Sequence, residues 1–313
     1  MSRQKQATNN KRGGAMAKSF RQKERQAYMM IAPQLIGFLV FSIYPILWVF
    51  RYAFYDYDGI TATFIGLENF VRVFTRDLSY WQSVLNTMII AYGKLIIEIP
   101  LAFVTAIILS SNMIKVKKIF SVVYYLPTVM GVAVSCMIFS FLFATMNGMV
   151  NNGLMAIGLI DAPISWFSEK WSALAVIMLR SIWAGFATNL LYFMAGVQNI
   201  SEDVLEAAKI DGANKLQEFF YITVPMLAPV IKVVLMLAMV NGMQIMNDVL
   251  LLTNGGPGNS TNVVMLQIYK MYFEPQGTPQ YGYASAMGVV TTFILGIITF
   301  VYLKISKKAD SVY

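Results

Sequence analysis

The sequence contains no histidine and a single cysteine, Cys136. The first absence removes imidazole catalysis and histidine-ligated metals; the second removes an intrachain disulfide and any cysteine metal cluster. Charge is scarce as well. Only 13% of residues are charged and 57% are hydrophobic, whereas about a quarter of a soluble domain is charged. The mean hydropathy of +0.59 points the same way. In water, 313 residues would suggest two domains. A chain of this composition cannot cover its apolar surface with polar groups, so its solvent is lipid. No Gly-x-x-x-x-Gly-Lys-Ser/Thr run occurs, so nothing here cradles nucleotide phosphates in the P-loop manner.

What is present is a set of long apolar runs. A helix needs about twenty such residues to cross the hydrocarbon core. Six stretches qualify, at 28–53, 84–109, 119–143, 174–197, 226–252 and 283–303. Their interiors hold Pro33, Pro45, Pro100, Pro127 and Pro229, which membrane helices tolerate better than soluble ones. No strand-period alternation competes, and the expected fold class is all-α: a polytopic membrane protein of six transmembrane helices. The first apolar run is too long for a cleaved signal peptide, and no small-residue cleavage site follows a short core.

The formal net charge of +8 raises nucleic acid as a partner. Eight basic residues, however, precede Tyr28: Arg3, Lys5, Lys11, Arg12, Lys18, Arg21, Lys23 and Arg25. Phe20 is the only aromatic among them, so stacking on bases is not expected. Such a run ahead of a span holds a terminus in the cytoplasm and meets anionic lipid. Lys115, Lys117, Lys118, Lys209, Lys215, Lys304, Lys307 and Lys308 fall on the same side. The opposite side holds Arg51, Arg72, Arg76, Lys170 and Lys270. That asymmetry predicts both termini inside. The expected organisation is a basic cytoplasmic tail over 1–27, a six-helix domain over 28–305 with a long inner loop at 198–225, and a cytoplasmic tail over 306–313.

The long inner loop is the most informative segment. Ser201 can cap a short helix whose first turn holds Glu202 and Asp203, complementing the helix dipole. Ala207 and Ala208 leave one face flat, and Gly212 supplies the positive φ that reverses a chain. Leu216, Phe219 and Phe220 then recur at helical spacing, and Pro225 sets the start of the fifth span. From these residues alone the segment is equally a docking surface and an amphipathic helix resting on headgroups.

Glu206-Ala207-Ala208, then Gly212, then Ile222, Val224 and Pro225 resemble the EAA loop of ABC importer permeases. That pattern is Glu-Ala-Ala, three residues, Gly, nine residues, Ile, one residue, Leu-Pro, and Val224 in place of Leu is the only departure. The resemblance implies a coupling helix seated in a groove of an ATP-hydrolysing subunit, with Glu206, Ala207, Ala208, Asp211 and Gly212 at the contact. Other pieces resemble the carbohydrate-uptake branch, which serves maltose, glycerol-3-phosphate and oligosaccharides. They are Tyr44-Pro45, Leu126-Pro127-Thr128, Asp211-Gly212-Ala213, Leu252-Thr253-Asn254-Gly255-Gly256-Pro257 and Asn259-Ser260-Thr261. Asn151-Asn152-Gly153-Leu154 with the Thr-Asn-Gly-Gly-Pro run looks like the maltose-F-type half of a permease pair. The resemblance covers nearly everything after residue 27.

It implies a non-catalytic subunit of a bacterial or archaeal cell-membrane importer. Its partners would be a second, different permease, a dimer of ATPases that bind ATP and magnesium, and an extracytoplasmic solute-binding protein. This chain would need no cofactor of its own. The cargo would be a carbohydrate, an oligosaccharide first, with glycerol-3-phosphate or a polyol as the alternative. An ion-coupled secondary transporter is the less favoured reading, since neither inverted repeats nor midplane acids stand out.

For the solute pathway the sequence offers polar stripes inside spans, where such residues usually face a cavity or bundle interior. Ser181, Gly185, Thr188, Asn189 and Tyr192 fall on one face of the fourth span. Asn241, Gln244 and Asp248 follow at i, i+3 and i+7 in the fifth. Trp183 and Tyr192 add aromatic faces on which a sugar ring could stack. Small and amide residues also glue membrane helices together, which is the competing explanation. Lys94 and Glu98 lie one helical turn apart and are expected to pair. With Arg180 they are further charges inside spans or near their ends.

Overall fold

A computed structural model describes residues 26–110, 124, 126–274 and 277–310. The basic tail therefore lies outside the described residues, apart from its last two positions, and so do Lys115, Lys117 and Lys118. In chain order the elements are α1 (Gln26–Tyr52), β1 (Tyr55–Tyr57), β2 (Ala62–Phe64), α2 (Glu68–Thr75), α3 (Leu78–Ser110), α4 (Val132–Leu142) and α5 (Met149–Ala156). There follow α6 (Lys170–Gln198), α7 (Glu202–Ile210), α8 (Lys215–Met243), α9 (Asn247–Leu252), α10 (Val264–Phe273) and α11 (Tyr281–Asp310).

Among the described residues, five helices (α1, α3, α6, α8 and α11) are long and apolar enough to cross a bilayer. The predicted third span, 119–143, is described only in part. A helical turn over 126–129 ends there, Gly131 is extended, and α4 then runs for 11 residues. The predicted fifth span, 226–252, is not one helix either. It breaks over 244–246, and α8 instead reaches back through the loop to Lys215. The boundary drawn at 305 falls inside α11, which continues to Asp310. One two-stranded hairpin qualifies the all-helical expectation, with Tyr55 opposite Phe64 and Tyr57 opposite Ala62.

The core is built on α3 and α6, which run parallel. Ile90 meets Leu174 and Ile177 near one end, and Ile99, Ala102 and Ala106 meet Leu190 and Phe193 further along. α8 lies antiparallel to both, with Val234 and Ala238 beside Phe193 and Met243 beside Ala91. α11 closes the group, where Tyr302 donates its hydroxyl to the Lys232 carbonyl at 2.6 Å. α1 stands apart. None of its most apolar window is buried in the chain, so lipid or another subunit is its solvent.

Two wide turns have the same cause. π-helical turns occupy Leu39–Ile43 and Phe219–Thr223, and each ends two residues before a proline, Pro45 and Pro225. Proline has no N–H to donate, and its ring crowds the carbonyl four residues earlier. Widening the preceding turn relieves that crowding without breaking the helix.

The end holding the hairpin, α2, α5, α9 and α10 is pinned by buried asparagines. Asn69 donates to the carbonyls of Ala53 and Tyr55, and Asn86 to those of Ser260 and Asn262 at 2.9 and 2.8 Å. Asn151, fully buried, donates to Ile164 O and accepts from Ile164 N and Trp166 Nε1. Thr261 Oγ1 donates to Gly256 O at 2.6 Å. The Thr-Asn-Gly-Gly-Pro and Asn-Asn-Gly-Leu runs thus act as structural clamps. Each such bond contributes about 0.5–1.5 kcal/mol net, and an orphaned buried partner would cost more.

Candidate substrate cavity and coupling segment

The break after α8 and the parallel pair α3–α6 leave a cavity of about 380 Å³ between them. Of the nine residues proposed for the pathway, eight line it: Ser181, Gly185, Thr188, Asn189, Tyr192, Asn241, Gln244 and Asp248. Trp183 does not. It packs against Phe139, 5.7 Å between ring centroids, in an aromatic cluster with Phe143 and Trp166. At 100° per residue it stands about 200° around the helix from Ser181, so its ring cannot share the stripe's face.

The break explains how the fifth-span residues reach the cavity. Helix ends expose unpaired backbone groups, which membrane proteins tolerate only where protein or a polar cavity surrounds them. Here residues 244–248 all line the cavity. Asp248 sits in the first turn of α9, where a carboxylate complements the dipole. Arg180 pairs with it, Nη1 to Oδ1, and donates through Nη2 to Ser135 Oγ. One guanidinium thereby ties α6 to both α4 and α9.

A second ion pair lies on the other side. Lys94 Nζ is 3.4 Å from Glu98 Oε2, as their spacing on the helix leads one to expect. Asn189 Nδ2 donates to Glu98 Oε1 at 2.5 Å, joining α3 to α6. Gly185 makes this possible. A Cβ there would sit 2.5 Å from Glu98 Oε1 and 2.9 Å from Lys94 Nζ. Lys94, Glu98 and Arg180 all line the cavity, although the stripes of neutral residues alone do not include them. The signal that finds them is simply an ionisable residue inside a span.

The loop after α6 is the second candidate site. Gly212 has φ +79°, and around it Ala213 N donates to Ala208 O and Gly212 N to Lys209 O. That is a Schellman closure of α7. Two residues on, Asn214 Oδ1 accepts from Gln217 N while Gln217 Oε1 accepts from Asn214 N, both at 2.9 Å. This capping box starts α8. Back-to-back closures make 211–214 a stiff corner. Ser201 stands at the start of α7, but its side chain makes no capping bond. Glu206, Ala207, Asp211 and Gly212 are exposed, whereas Ala208 is buried within the chain. Ile210 is 85% exposed. Among the described residues no cluster of three or more His, Cys, Asp or Glu side chains could hold a metal ion.

Residues 98–309 match the family described as binding-protein-dependent transport system inner membrane component. The chain belongs to this family. It is a multi-pass, non-catalytic permease subunit of an ABC-type transport system, and a binding protein serves such systems. It is 34% identical over 294 residues to the probable ABC transporter permease protein YesP of Bacillus subtilis, covering 93% of each chain. It is 30% identical over 283 residues to the lactose transport system permease protein LacF of Rhizobium radiobacter, covering 90% of this chain and 94% of that one. Its fold resembles a chain of a bacterial ABC transporter involved in the import of the acidic polysaccharide alginate. There the TM-score is 0.81 at 21% identity, over 92% of this chain and 96% of the other.

Proposed function

We propose that this chain carries a carbohydrate into the cell as one half of a two-permease channel, driven by ATP hydrolysed on a partner. The observation that carries the reading is the convergence of the amide and hydroxyl residues of α6 and of the region at the end of α8 on one cavity. A sugar presents hydroxyls that both donate and accept, and Asn, Gln, Thr and Tyr meet either role. Lactose and arabinooligosaccharide permeases among the relatives support the same cargo class.

The lever is α7 with the corner at 211–214. Glu206, Ala207, Asp211 and Gly212 offer an exposed face to an ATPase subunit. The stiff corner passes a push on that face into α8, about 43 Å long at 1.5 Å per residue. The far end of α8 is where the helix breaks and the cavity begins. Moving the base of α8 therefore moves Asn241 and Gln244. ATP-dependent closure and solute binding both bias this one element, which is what coupling requires. In this reading both termini are cytoplasmic, in a bacterial or archaeal membrane. ATP and magnesium belong to the ATPase pair, and solute is delivered by the binding protein from outside.

Reconstitution of the chain with a second permease, the ATPase and the binding protein in vesicles tests this. Expected is ATP-dependent accumulation of a saccharide that stops when any component is omitted. Uptake by this chain alone under an ion gradient would refute it.

A further inference from the structure

The fold leaves the charge of the cargo open, since the same architecture serves an importer of an acidic polysaccharide. The cavity wall is more specific. Four of its residues are charged, and each is matched within the chain: Lys94 with Glu98, Arg180 with Asp248. Glu98, Arg180 and Asp248 are buried, at 1%, 4% and 7% exposure. The Lys94 side chain is 12% exposed. The exposed polar groups of the wall are instead neutral donors and acceptors, on Thr188, Tyr192, Asn241, Gln244 and Asn247, beside the apolar Val132 and Leu237.

Resting on the carbohydrate reading, we infer that this half of the channel selects an uncharged, hydroxyl-rich solute and discriminates against an anionic one. An entering carboxylate would lose water and find no free cation in return, a net cost wherever desolvation goes uncompensated. Both cations are engaged within the chain, and the one Arg180 nitrogen without a hydrogen bond, Nε, is buried. Lys94 is pressed with Glu98 against Gly185, where a Cβ would collide with either group. Asn189 fixes the Glu98 carboxylate from α6. Arg180 gives its Nη1 to Asp248 and its Nη2 to Ser135. A neutral hydroxyl needs no such counter-charge, and the exposed amides supply both of its hydrogen-bonding roles. Glu98, Asn189 and Gly185 are thus positioning residues that set selectivity by keeping Lys94 occupied.

The test uses the assembled permease pair with its ATPase in lipid nanodiscs, without binding protein, so that the latter's selectivity does not enter. Equilibrium dialysis compares maltotriose, arabinotriose and raffinose with trigalacturonate and triguluronate. In the wild type, at least one neutral trisaccharide should bind about tenfold or more tightly than either uronate. Glu98→Gln keeps the acceptor for Asn189 but frees the lysine, and should narrow that ratio to about threefold or less. Lys94→Met should widen it. If Glu98→Gln does not assemble, Asp248→Asn frees Arg180 and carries the same test. Equal wild-type binding of a uronate, or a ratio that neither variant moves, overturns the inference and leaves carbohydrate transport standing. If a folded, monodisperse complex binds no saccharide in the panel, the carbohydrate reading fails and the inference falls with it.

Discussion

The cavity and the coupling corner treat side chains in opposite ways. Around the cavity the chain buries three of its four charges and matches all four internally, leaving Thr188, Tyr192, Asn241, Gln244 and Asn247 exposed. At the corner it leaves Glu206, Asp211 and even Ile210 exposed, and spends its hydrogen bonds on backbone closure. The first region is finished within the chain, its ion pairs closed on one another. The second is rigid but unfinished, as a surface is when another protein completes it. Substitutions in the first should therefore damage folding or selectivity, and those in the second should spare the fold and damage assembly.

The strongest effect is expected at Asp248. Asp248→Ala strands Arg180 in the protein interior, which costs about 3–5 kcal/mol. Thermal unfolding in detergent should show a large drop, and adding Arg180→Met should recover most of it. If the single change is silent, the cavity is not organised by that pair. Next is Gly185→Ala, where the added carbon meets Glu98 and Lys94. Displacing the pair should cost about 1–3 kcal/mol and lower solute binding in the same dialysis assay. Gly212→Ala follows at about 1 kcal/mol, because φ +79° strains any side chain although nothing lies within 4 Å of a Cβ. Asn214→Ala removes the box that starts α8 and should cost a similar amount. The smallest folding effect is Ile210→Ala, within about 0.5 kcal/mol as for other exposed sites. That same variant should weaken co-purification with the ATPase. An Ile210 change that unfolds the chain would erase the contrast.

Much of this was legible in the sequence, for physical reasons that also mark where legibility ends. Long apolar runs locate α1, α3, α6 and α11, because lipid leaves a spanning backbone few alternatives to a helix. Hydropathy is blind to a break whose freed backbone is surrounded by polar protein. Residues 226–252 therefore read as one span although the chain unwinds over 244–246. Helical period brings the α6 stripe onto one cavity wall. Trp183 entered through its chemistry, as a ring for a sugar, and the same period places it elsewhere. Gly212 is readable because one conformation demands it. Gly185 is not, since its reason is a Lys–Glu pair on another helix, 87 or more positions earlier in the chain. The pairing of Arg180 with Asp248, 68 residues apart, is likewise invisible without packing. Both π turns follow from a following proline and are in principle foreseeable.

In this reading α7 and the corner at 211–214 transmit work from a separate motor to the cavity. The most direct measurement of that transmission compares ATP hydrolysis and solute uptake in reconstituted Glu206→Lys complexes. The account predicts a normally folded permease, with uptake per ATP hydrolysed reduced about tenfold or more. Uptake and hydrolysis that keep the wild-type ratio in a complex carrying the lysine would contradict it.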